Sequence, residues 1–73
     1  MTSLYSQFLY GFARGADIDR AEAESTWAAW SAQLSDMRRR AIERDGEDAG
    51  FTEGQRLAAF MKINPSATVE ESA

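Results

Sequence analysis

Covalent chemistry near neutral pH leans on histidine and cysteine, and this chain has neither. A nucleophile or general base would have to come from carboxylates, serines, tyrosines and Lys62, and no spacing arranges these for catalysis. Structural zinc loses both of its usual ligand types. Asp45, Glu47, Asp48 and Glu53 have the charge of a calcium loop. They lack the twelve-residue spacing and the closing bidentate glutamate. No Gly-Lys-Ser/Thr ending or Gly-x-Gly-x-x-Gly run is present to cradle a phosphate. The expectation is a non-enzymatic protein, without metal or cofactor, that acts by touching another macromolecule.

Recognition chemistry is better represented. Arg38, Arg39, Arg40 and Arg44 form the one concentrated group of positive charge, and the planar guanidinium suits bidentate contact with carboxylates or phosphates. At 100° per residue these side chains fan around a helix. Arg39 with Glu43, and Asp36 with Arg40, have the four-residue spacing of exposed ion pairs. The bland reading is a solvated helix end; the functional one is a patch for an acidic surface. Tyr10 projects opposite Phe12, beside Ser3, Gln7 and Arg14, and adds an aromatic to the candidate partner-binding set of Tyr10, Arg14, Arg38, Arg39, Arg40 and Arg44. Trp27 and Trp30 read as core anchors, with the alternative that one is partly exposed and holds a partner.

Helices must position these groups. Leu4, Phe8 and Phe12, with Tyr5 and Leu9, form one apolar face. This predicts a helix from about Leu4 to Arg14, capped by Thr2 or Ser3 and ended by Gly15. Gly11, inside it, marks close backbone packing or a weak point. A second helix is expected from Asp17 or Asp19 to about Arg44, with Ala23, Trp27, Trp30, Leu34, Met37 and Ala41 as a seam spaced by fours and threes. Its alternative is a break at Ser25 and Thr26. Asp45 to Gly50 reads as an acidic loop. A third helix then begins at a capping box, Thr52 with Gln55. Phe51 packs back near Leu57, and Leu57, Phe60 and Met61 form the apolar stripe. Asn64 and Pro65 stop that helix. Ser66 to Ala73 reads as a disordered acidic tail. The fold class is therefore all-α: one three-helix domain over 1–65 and a tail over 66–73.

The chain has 73 residues, 44% apolar and 27% charged, with a net charge of −4. A chain so short buries only about 60% of its unfolded surface, and no disulfide compensates. The acidity argues against general binding to nucleic-acid phosphates. The apolar runs fall far below the roughly 20 residues that span a bilayer. Met1 to Phe12 lacks the pattern of a signal peptide. A cytoplasmic, monomeric protein is expected, with no membrane and no sequence-specific nucleic acid among its partners.

Short, acidic, helical and free of catalytic groups, the chain resembles the small regulators that lytic phages make to bind host RNA polymerase. The resemblance covers size and character along the whole chain and carries over no site residue. It implies a protein that binds a host polymerase subunit in the host cytoplasm, inhibits transcription initiation and, in some members, promotes antitermination. Two rivals are a small helix-turn-helix DNA-binding regulator, read from Thr52 to Ile63 with Gln55, Arg56 and Lys62, and a phage assembly adaptor that oligomerises through its helices.

Overall fold

Ser3 opens the first helix. Its backbone is extended and its hydroxyl accepts the Ser6 N–H at 3.1 Å, which satisfies one of the helix's unpaired first-turn donors. In the computed structural model, which describes residues 3–63, this helix is α1, Leu4–Ala16. It runs two residues beyond the expected end at Arg14, through the glycine expected to stop it. Asp17 takes the left-handed conformation (φ 58°), while the Ile18 N–H reaches the Ala13 carbonyl and the Asp17 N–H the Arg14 carbonyl. That is a Schellman closure with aspartate in the place usually held by glycine.

Asp19 precedes α2, Arg20–Trp30. Ser25 does not break it: its hydroxyl donates to the Glu22 carbonyl one turn back. The break comes later and corrects the expected long second helix. Ser31–Gln33 tighten into a 3₁₀ turn, Leu34 becomes extended (φ −92°, ψ 151°), and the Ser35 hydroxyl caps a new helix by accepting the Arg38 N–H at 3.2 Å. This helix, α3, spans Asp36–Glu43. The extended residue resets the helical phase, so the seam fails past Leu34. Met37 is 83% exposed, Ala41 is exposed, and Ile42 turns inward instead.

Only Arg44 and Asp45 separate α3 from the last helix. Gly46, at φ 77°, supplies the conformation that turns the chain, and α4 runs Gly46–Ile63. The expected acidic loop and the capping box at Thr52 are therefore both corrected. Thr52 lies inside the helix and donates to the Asp48 carbonyl. Phe51 is helical and partly exposed, not folded back onto Leu57. The described residues thus form four α-helices and a 3₁₀ turn instead of three helices. The expected stop at Asn64 and Pro65, the domain boundary at 65 and the tail over 66–73 lie outside the described residues. No described helix is long and apolar enough to cross a membrane.

The glycines that look like helix breakers form the main interface. Gly11 and Gly15 of α1 face Glu47, Phe51 and Gln55 of α4; Gly50 and Gly54 of α4 face Phe8, Phe12 and Ala16 of α1. The two series advance together, so α1 and α4 run parallel, and α2 and α3 form the connection between them. At each of these four glycines an added methyl would overlap the backbone of the opposite helix. Small residues one turn apart let two backbones approach this closely, and Gly11 is thereby a packing site.

Beside the glycines, Phe8, Leu9, Phe12, Ala13, Ala23, Trp27 and Leu57 are buried. Trp27 sits edge-on to Phe8 and Phe12, with ring centroids 4.6 and 5.4 Å away. Trp30 is half-buried and leans on Phe60 at 5.3 Å. Of the two tryptophans, Trp27 is the central one.

Candidate protein-binding surface

No residue of α3 is buried, so this helix packs lightly and shows most of its side chains to solvent. One strong polar tie holds its end: the Trp27 indole Nε1–H donates to Glu43 Oε2 at 2.6 Å. The Arg39 guanidinium approaches the same oxygen at 3.8 Å and Asp36 at 3.5 Å. The expected Arg39–Glu43 pair is present, while Asp36 meets Arg39 and not Arg40. Arg39 is thus drawn inward, one turn from both acidic partners.

Arg40 and Arg44 behave differently. Both are exposed, and among the described residues neither takes part in an ion pair. One helical turn apart, near the end of α3 and at its C-cap, they line a shallow groove of about 230 Å³ with Leu4, Tyr5 and Glu43. Leu4 is 52% exposed. Arg38 is exposed on another side of the helix, as the fan of side chains requires.

A neighbouring cleft of about 400 Å³ is lined by Tyr5, Trp27, Ala28, Ser31, Arg39 and Glu43. The Tyr5 hydroxyl is held above its ordinary pKa, first by partial burial and then by Glu24 and Glu43; Arg20 and Arg39 oppose the shift. Desolvation and nearby carboxylates both disfavour the phenolate.

Tyr10 and Arg14 stand apart from the arginines of α3. Tyr10 is half exposed, with the Arg14 guanidinium 5.7 Å above its ring, close enough for a cation–π contact. Arg14 also pairs with Glu47 at 3.6 Å, both side chains well exposed. The cavity beside Tyr10, about 470 Å³, is lined by Ser6, Gln7, Arg20 and Glu47. Of the six residues singled out in the sequence, Arg40 and Arg44 share one groove, Tyr10 and Arg14 form a second pair, and Arg39 is engaged internally.

Leu4, Tyr5 and Met37 escaped the sequence reading as surface residues. Leu4 and Tyr5 carried the apolar signal of a core face, and Met37 fell on the extrapolated seam. The readable clue was Ser35 followed by Asp36, a helix start that would have reset the phase. Ion-pair groups, guanidinium donors and half-exposed apolar side chains converge on this side of the molecule, which is the chemistry of recognition. Among the described residues no group of three or more Asp or Glu could hold a metal ion. The chain matches no family model, and no curated protein or solved structure shows significant similarity to it.

Proposed function

We propose that this chain is a non-enzymatic protein-binding regulator that acts in the cytoplasm of a phage-infected cell, with the host RNA polymerase as its partner. The observation that supports a binding role is α3 and its C-cap: a helix with no buried residue, with Arg40 and Arg44 outside any ion pair among the described residues, in a chain of net charge −4. The polymerase rests on the resemblance in size and character. In this reading Arg40 and Arg44 form the main contact and Tyr10 and Arg14 a second one, while Arg38 faces another side of α3 and Arg39 is paired within the helix.

The helix-turn-helix rival fits less well. A helix starting at Thr52 does not exist; α4 starts at Gly46 with Glu47 and Asp48 in its first turn, charges that oppose phosphate where a recognition helix meets DNA.

The test is retention of purified bacterial RNA polymerase, core and holoenzyme, on the immobilised chain, with transcription from a sigma-dependent promoter measured in parallel. Retention at stoichiometric level with reduced initiation or increased readthrough is expected. No retention above that of an unrelated acidic protein would sink the polymerase reading. Concentration-dependent oligomers in sedimentation would favour an assembly protein.

A further inference from the structure

We infer that the groove between α3 and the start of α1 is a docking site for an acidic helical segment of a partner protein, with one apolar side chain seated against Leu4 and Tyr5. This rests on the binding role proposed above and names the chemistry of the partner at that site.

Charge complementarity selects the occupant. Arg40 and Arg44 lie one turn apart without ion-pair partners among the described residues. Their four-residue spacing, from the last turn of α3 to its C-cap, matches that of carboxylates at i and i+4 on a second helix. The groove they border is lined on its other side by Leu4 and Tyr5. Arginine binds carboxylates through paired N–H donors, and the exposed leucine and tyrosine supply the apolar contact that charge pairs alone lack.

The surroundings set the length of the anion. Glu43 lines the groove itself, and Asp45 directly follows Arg44 in the chain. A nucleic-acid backbone carries charge continuously and would run into these carboxylates. A segment with two carboxylates on one helical face places its charge only where the arginines are. Glu43 is already engaged by Trp27 and Arg39, so part of its charge is met from inside.

The experiment is an amide chemical-shift titration of the full chain with a short, capped, helix-forming peptide carrying one glutamate pair at i and i+4 and one phenylalanine. Its glutamine counterpart and a short DNA duplex are titrated alongside. Arg40→Gln/Arg44→Gln, Leu4→Ser and, as a control on α4, Arg56→Gln are compared after thermal melts establish that each is folded. Saturable shifts are expected at Leu4, Tyr5 and residues 40–44. Affinity should fall about tenfold or more in the double arginine variant, about 1.4 kcal/mol or more of binding free energy, and should weaken with the glutamine peptide. Arg56→Gln should behave as wild type. Shifts that map elsewhere, equal binding of the glutamine peptide, wild-type affinity in the double variant, or stronger binding of the duplex at these residues would each overturn the inference. Loss of polymerase retention with this peptide result intact would remove the polymerase and leave the groove assigned. Polymerase retention unchanged by Arg40→Gln/Arg44→Gln would keep the polymerase and overturn the groove.

Discussion

The α1–α4 pair and α3 hold the molecule together in opposite ways. Between α1 and α4, four glycines bring two backbones into contact, and no flexible side chain lies between them at those points. Along α3 nothing is buried, and attachment comes through the Trp27–Glu43 hydrogen bond and the half-buried Ile42, the Arg39 ion pairs being internal to the helix. One region has nowhere to yield; the other is tied by a few replaceable contacts. Fold stability therefore concentrates in the glycine interface and the aromatic core beside it, and α3 contributes little to it.

The sharpest way to break this contrast is a single methyl. Gly50→Ala should destabilise the protein by about 3 kcal/mol or more. The new Cβ would overlap the Phe8 carbonyl, and forced overpacking costs about 1–3 kcal/mol, more where the neighbour is backbone. Total stability for a chain this size is of order 4–11 kcal/mol. The sign is diagnostic, because glycine to alanine inside an unobstructed helix would gain about 1 kcal/mol. A raised midpoint in denaturant unfolding would mean that the helices are not in backbone contact at Gly50.

Trp27→Ala should cost a comparable about 3–5 kcal/mol, the usual range for truncating a buried aromatic. Trp27 is 1% exposed and touches both phenylalanines. Trp27→Phe separates two contributions, because it keeps most of the ring and removes the donor to Glu43. It should lower stability by about 1–3 kcal/mol, as expected when a partly buried carboxylate loses a hydrogen bond. Hydrogen exchange should quicken in α3 more than in α1. Equal acceleration in both helices would show that α3 is not hung on that bond.

Much of this division was legible in the sequence, and the misses share a cause. The apolar period of α1 and the burial of Trp27 follow from residue spacing, since burial repeats with the helical turn. Glycines carry two opposed meanings. Gly15 and Gly50 read locally as breakers, yet each lies inside a helix whose partner backbone needs the missing Cβ. That partner is about 40 residues away in the chain, beyond the reach of any local pattern. For the candidate site, the arginines were visible by type. Their division into Arg39 held inward and Arg40 with Arg44 presented outward depends on the helical phase, which Leu34 resets.

Tyr5 bridges the two regions and gives a milder test. Its pKa is raised in the fold by burial and by Glu24 and Glu43. The folded state therefore holds the phenolic proton more tightly than the unfolded chain, whose value is near 10. The associated stability is fully present below about pH 10 and is lost as pH rises through the folded-state pKa. Tyr5→Phe should flatten this alkaline decline relative to wild type in urea unfolding above pH 9. An identical decline in both proteins would place Tyr5 outside the influence of those carboxylates.

The smallest effect is expected at Met37, and it tests where the core ends. If the seam of α2 continued through α3, Met37→Ala would truncate a buried side chain and cost about 2–5 kcal/mol. With Leu34 extended and Met37 83% exposed, the same change should stay within about 0.5 kcal/mol, as for surface substitutions generally. Alanine also has the better helix propensity, which offsets any lost contact. A small change in denaturant midpoint, at unchanged slope, would place Met37 on the exposed side of α3 and outside the core. A loss of several kcal/mol would mean that α3 packs as part of the core, and the contrast between a fixed α1–α4 pair and a lightly held α3 would fail.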